Sequence, residues 1–283
     1  MSTETLTVEG RGVRVQLAGP VDGPPLVLIH GIARSLEDWN LQVPRLSATH
    51  RVIALDMPGF GFSTRRAEPA TLAALARGVL SALDALGETR PVHLIGNSLG
   101  GAVSLQSVAL APDRVASLVL VNSAGFGAEV SYILRMLAIP FLGRVMLNRP
   151  TKAGLGHAER ALYADRKLAD KERIVHSLRL GRRPGAAAFM AEIMHHLGTF
   201  RGVLPQWRAE LLAAAAAHPR PMLIVWGDRD RILPPSQFDA AKRAFPDART
   251  YLFANTGHMP HIERPDEFAA LIGEFVDGVV SSR

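Results

Sequence analysis

The stretch "LIGNSLGG", residues 94–101, sets Ser98 between Gly96 and Gly100 in a Gly-x-Ser-x-Gly pattern. A serine hydroxyl is a poor nucleophile at neutral pH. To attack a carbonyl it needs a base within reach, and the base needs a partner that orients it. The serine pattern alone is a weak signal, because glycine and serine are common residues. Its setting adds weight. An apolar run ends at Gly96, and apolar residues at helical spacing begin at Leu99, so Ser98 is expected on a sharp strand-to-helix turn. Side chains at 96 and 100 would there collide with neighbouring chain, which accounts for the glycines. The helix start would also turn free backbone N–H groups toward a developing oxyanion. A glycine-rich helix start without chemistry would read the same way; a matching base and acid separate the two.

Ten histidines compete for the part of the base. In an open parallel sheet, chemistry gathers beyond the carboxyl ends of the strands. That selects His258 in "NTGHMPH", which follows the apolar run "TYLFAN", with His261 as the runner-up three residues on. His30 also ends an apolar run, but Gly31 follows at once, and it reads as a structural partner beside the next loop. His195 and His196 are adjacent in a helical pattern and cannot share one helix face, which argues against a two-histidine metal site. The acid should also follow a strand. "MLIVWGDRDRILP" offers Asp228 and Asp230, and spacing does not choose between them. A buried aspartate with arginines nearby stays ionised and can hold an imidazole. After the earlier run "VASLVLVN" no acid is offered; Asn122 and Ser123 stand there instead.

These residues need a frame that brings them together. Leu26–His30, Arg51–Asp56, Val92–Gly96 and Val115–Asn122 are short runs rich in Val, Ile and Leu that end in turn formers, the pattern of strands buried on both faces of a parallel sheet. Between them, Trp39–Leu46, Leu72–Leu86 and Leu99–Leu110 carry apolar residues at helical spacing. Ser35 with Asp38 resembles a capping box for the first of these, and Gly87 is a stop for the second. "MLIVWG" and "TYLFAN" are two later strands, and a last helix follows Pro265. Leu6–Val8 and Val13–Leu17 alternate and suggest an antiparallel edge hairpin. Strands alternating with helices imply an α/β sheet. From about Phe126 to Ala217 the alternation stops. This segment has no convincing strand and reads as amphipathic helices, one with Ile133, Leu134, Met136 and Leu137, another with Phe189, Met190, Ile193, Met194 and Leu197.

Together, "HGIARSLEDW", "DMPGFGFS", "GNSLGG", "WGDRDRILP" and "NTGHMPHIERPDEF" resemble, in order, the oxyanion loop, the Asp-x-Pro-Gly-x-Gly-x-Ser stretch, the nucleophile elbow, and the acid and histidine loops of the α/β-hydrolase superfamily, over nearly the whole chain. The resemblance implies a mostly parallel eight-stranded sheet flanked by helices, with a helical cap inserted between strands 6 and 7. The core would comprise residues 1–125 and 218–283, and the cap residues 126–217. It implies Asp230 as the acid, His258 as the base, and the backbone N–H groups of Leu99 and Ile32 as the oxyanion donors. A serine nucleophile is unlike the carboxylate of haloalkane dehalogenases and epoxide hydrolases. Asn97 before the serine is similar to enzymes that cleave carbon–carbon bonds in meta-cleavage products, whereas Met259 departs from the tryptophan usual there. Asn97, Trp39 and Met259 are candidate substrate-pocket residues.

The implied activity is a serine esterase acting on a small to medium apolar acyl ester. Carbon–carbon hydrolysis of meta-cleavage products is the alternative, followed by thioesterase, lactonase or perhydrolase chemistry and by a receptor-like protein that only binds its ligand. No cofactor and no metal are expected. The chain of 283 residues carries a net charge of +6 and no cysteine, which excludes disulfides and thiolate zinc sites. Phe126–Pro205 holds 13 Lys/Arg against 6 Asp/Glu, and the remainder 19 against 20, so the excess charge lies in the helical insertion. No nucleic-acid motif accompanies it. A weak association with a membrane surface through this basic segment is compatible with the pattern. No apolar run approaches the roughly 20 residues of a membrane span. "MSTETLTVEG" does not read as a signal peptide, and a cytoplasmic monomer or homodimer is expected.

Overall fold

A computed structural model describes residues 2–282. Eight strands form one sheet: β1 (Ser2–Val8), β2 (Arg11–Ala18), β3 (Pro25–Ile29), β4 (Arg51–Leu55), β5 (Val92–Asn97), β6 (Val115–Val121), β7 (Met222–Gly227) and β8 (Arg249–Phe253). Their order is β1-β2-β4-β3-β5-β6-β7-β8. The pairs β1–β2 and β2–β4 are antiparallel and the rest are parallel. The expected edge hairpin is therefore present.

Strand residues alternate between two apolar layers, as the two-residue period of a strand requires. Val27, Ile29, Leu94, Leu118 and Leu120 face one layer with α1 (Leu72–Ala85) and α2 (Leu99–Leu110). Leu26, Leu28, Ile95, Val119 and Val121 face the other, under the C-terminal helix Pro265–Ser281. Thr71 caps α1 by accepting from the Ala74 amide at 3.1 Å, and Gly87, at φ +66°, ends it.

The region before β4 departs from the sequence reading. A 3₁₀ turn (Leu36–Trp39) and a four-residue helix (Val43–Leu46) replace the single helix expected from Trp39 to Leu46. The capping box does not form, because both side chains are engaged elsewhere. Ser35 Oγ pairs with His176 Nε2 at 2.8 Å, and Asp38 takes two hydrogen bonds from Arg34.

Between β6 and β7 the chain leaves the sheet. Among the described residues it forms α3 (Tyr132–Leu137), α4 (Pro140–Asn148), α5 (Lys152–Ala161), α6 (Lys171–Gly181), α7 (Ala186–Leu197) and α8 (Pro205–Ala216). A two-stranded hairpin, Gly198–Thr199 with Gly202–Val203, joins the last two; its strands are too short to register as strand pattern. No helix among the described residues is long and apolar enough to cross a membrane.

Candidate active site

Ser98 sits at the junction of β5 and α2 with φ +57° and ψ −116°, a backbone conformation that costs a non-glycine residue energy. Neighbouring chain holds it there: its amide donates to Val121 O at 2.9 Å, and its carbonyl accepts from Gly101 and Ala124. The flanking glycines are steric necessities. A Cβ at Gly100 would lie 2.3 Å from the carbonyl oxygen of Ile29, and one at Gly96 would lie 2.3 Å from that of Gly100. As the first residue of α2, Leu99 has an amide with no intrahelical acceptor.

Two strands away, the loop after β7 sets its two aspartates in different surroundings. Asp230 is buried, and its Oδ2 lies 2.7 Å from His258 Nδ1. Its Oδ1 accepts from the amides of Ile232 and Leu233 at 2.7 and 3.0 Å. Asp228 is exposed, and its Oδ1 accepts from the Thr256 amide, bracing the turn. Asn122, at the end of β6, donates from Nδ2 to the same Asp230 Oδ2 at 2.7 Å. The sequence marked Asn122 only as the place where no acid stood. Its contribution is tertiary, and its one visible local feature is a positive φ of 43°.

Asn97 also gains a defined task. Its Nδ2 donates to Val121 O at 3.2 Å and to the backbone carbonyl of His258 at 3.1 Å, tying the histidine loop to the end of β5. From the other side, the His258 amide donates to Leu162 O in the helical insertion at 2.7 Å.

His30 is fully buried. The Met57 amide donates to its Nε2 at 3.1 Å, so Nδ1 carries the proton and donates to Gly31 O at 2.7 Å. Burial pushes its imidazole below the usual range. It fixes the start of the Gly31–Arg34 loop, as the sequence suggested. His261, the runner-up base, is also fully buried. Its ring stacks on Trp39 at 4.3 Å, and burial drives its pKa down to about 3. Trp39 itself is wholly buried between His261 and Phe268. The expectation that Trp39 lines the substrate pocket is therefore corrected: its ring is core. His195 and His196 lie in α7, and among the described residues no three His, Cys, Asp or Glu side chains gather as a metal site requires.

A cavity of about 640 Å³ joins these parts. Ser98, His258, Ile32, Asn97 and Met259 line it from the sheet side. Leu134, Leu137, Leu147, Leu155, Leu180 and Met190 line it from the insertion, making most of that wall apolar. Arg149 and Arg183 also reach it. Arg183 donates to the carbonyls of Gly59 and Phe60.

A buried ionic cluster closes the insertion onto the sheet side. Arg34 donates to Asp38 and, at 2.6 Å, to Glu159 on α5. Ser177 and Tyr163 donate to Glu159 as well. Burial alone would raise the Asp38 carboxyl, but the adjoining Arg34 guanidinium outweighs it and holds the group below the usual range.

The model of the alpha/beta hydrolase family matches residues 26–271. Over 262 residues the chain is 34% identical to the dihydrolipoyllysine-residue acetyltransferase component of the acetoin cleaving system of Pseudomonas putida. The match takes in 92% of this chain and spans 65% of that protein's length. The chain is also 32% identical to a pimeloyl-[acyl-carrier protein] methyl ester esterase of Neisseria meningitidis, over 89% of this chain and 92% of the relative. Among solved structures, a meta-cleavage product hydrolase from Pseudomonas fluorescens IP01 superposes with a TM-score of 0.82 at 25% identity, covering 97% of each chain.

Proposed function

The chain belongs to the α/β-hydrolase family, and from that premise we propose that it is a serine hydrolase of carboxylic esters with a small to medium apolar acyl group. One observation carries the reading: His258, hydrogen-bonded to Asp230, and the strained Ser98 line the same apolar cavity. In this reading, residues 1–125 and 218–283 are the catalytic core, and residues 126–217 are a cap that shapes the acyl pocket. His258 takes the hydroxyl proton of Ser98 as its oxygen attacks the ester carbonyl. Asp230 holds the imidazole in one tautomer and stabilises its cation. The Leu99 and Ile32 amides receive the oxyanion, each lowering the barrier by about 3 kcal/mol. His258 then protonates the leaving alcohol. Water, deprotonated by His258, releases the acid and restores Ser98.

Carbon–carbon hydrolysis of a meta-cleavage product is the second reading. It is supported by the similarity to the Pseudomonas fluorescens hydrolase and by Arg149 and Arg183, two cap cations at the cavity that suit a substrate carboxylate. Met259 speaks against it. An ester series of rising chain length, run beside a dienone substrate, separates the two. Ester turnover that is lost in Ser98→Ala, with no dienone cleavage, is the expected result. Dienone cleavage that outpaces every ester reverses the assignment.

A further inference from the structure

The basic charge of the cap is unusual in how little of it is paired. In residues 2–125 every arginine sits in an ion pair, as Arg14 does with Glu37 and Asp56, Arg90 with Glu88, and Arg114 with Asp84. Among the described residues, no Lys or Arg between 126 and 205 lies in one. The cap acids that do pair are taken by arginines of the core: Glu159 by Arg34 and Glu192 by Arg65. The excess seen in the sequence is thus left as free positive charge.

Part of that charge lies beside exposed apolar side chains, in a stretch without acids. Between Glu129 and Glu159 the chain has no Asp or Glu, but it has Arg135, Arg144, Arg149 and Lys152. Helix α4 lies within this stretch. Residues 141, 144, 145 and 148 recur at helical spacing and are all exposed, so they form its outer face: Phe141, Arg144, Val145 and Asn148. Phe141 is 82% exposed and Val145 46%. On neighbouring α3, Tyr132 is 63% exposed and packs edge-on against the exposed Phe200, which Arg135 covers. The opposite faces of the same two helices supply Leu134, Leu137, Met146 and Leu147 to the cavity wall.

We propose that the outer face of α4, with Phe141 and Val145 set among unpaired basic residues, docks this protein on an anionic lipid surface. A short amphipathic helix with aromatic and aliphatic residues on one face and Arg or Lys beside them binds in the plane of a membrane interface. The charge draws it to anionic headgroups, and the apolar side chains enter the boundary with the acyl chains. Docking there would bring the thin wall of the cavity to the bilayer, so that an acyl ester reaches Ser98 from the lipid phase. This last step rests on the serine-hydrolase reading; the docking does not.

Co-sedimentation with vesicles, using Ser98→Ala protein, tests the docking without hydrolysis. Binding is expected on phosphatidylglycerol–phosphatidylcholine vesicles at about 50 mM salt and is lost at about 0.5 M. On pure phosphatidylcholine it is weaker by about tenfold or more. Phe141→Ser and Arg144→Glu each weaken binding by about tenfold. Made in the wild-type chain, both leave turnover of soluble p-nitrophenyl butyrate unchanged, which shows that they fold. No binding to the anionic vesicles at low salt, or binding indifferent to both substitutions, overturns the proposal. So does equal affinity for poly-L-glutamate that survives Phe141→Ser, since the face would then serve an acidic polypeptide.

Discussion

At the scale of single residues, the site is organised around one carboxylate oxygen. Asp230 Oδ2 lies within 2.7 Å of both His258 Nδ1 and Asn122 Nδ2. The amides of Ile232 and Leu233 hold its other oxygen. A carboxylate held at both oxygens cannot rotate away from the imidazole, which is what an orienting acid needs. If this is its role, Asp230→Asn should lower kcat by about 10³-fold or more, because the amide favours the wrong imidazole tautomer. Asp228→Asn should change kcat by less than about twofold, since Asp228 is exposed and braces only a turn. The reverse order would move the acid to Asp228. Asn122→Ala removes one hydrogen bond to a charged group and should cost about tenfold in kcat at unchanged KM. An unchanged kcat would show that the amides of Ile232 and Leu233 suffice. Asn97 illustrates where sequence reading stops. It lines the cavity, as its place before the serine suggested, but nothing in the sequence signals that its amide N–H donates to Val121 and to the histidine loop. Hydrogen bonds between loops remote in sequence leave no local pattern to read.

At the scale of elements, the strands were the most legible part. Val115–Val121 and Met222–Gly227 are buried throughout, so their composition alone marks them. The elbow was legible for the same reason, because sheet and helix leave no room at 96 and 100 for anything but glycine. Gly100→Ala should therefore destabilise the fold by about 2 kcal/mol or more, measured by urea unfolding, since its Cβ would meet the backbone oxygens of Ile29 and His30. A shift below about 0.5 kcal/mol would mean that the elbow is not tightly packed. The turn at Leu36–Trp39 was misread because Ser35 and Asp38 have cap-forming types but pair with His176 and Arg34, on distant elements or in an ionic cluster. The helices between β6 and β7 were legible as helices but not in their arrangement. They carry apolar faces, but which neighbour each face meets is set by contacts remote in sequence, such as Arg34 with Glu159.

At the scale of the molecule, buried histidines and the apolar cavity set the response to conditions. His261 is neutral in the fold, with its pKa pushed by burial from 6.5 to about 3. The unfolded chain binds its proton below about pH 6.5, and the folded chain does not until about pH 3. Within that window the unfolded state holds more protons, so stability falls as pH drops, by up to about 1.4 kcal/mol per pH unit for one such group. His30 acts in the same direction. His261→Phe, which keeps a ring against Trp39, should flatten the loss of stability between about pH 6.5 and 4.5; an unaltered slope would show that His261 is not the acid-sensitive group. The central claim concerns the whole assembly: strand ends far apart in sequence turn Ser98, alone among the chain's serines, into a nucleophile. Fluorophosphonate labelling of the folded protein, followed by peptide mass mapping, tests it most directly. The account predicts one label per chain, on the peptide containing Ser98, absent from Ser98→Ala and from urea-unfolded protein. Label on another serine, or undiminished label in Ser98→Ala, would contradict it.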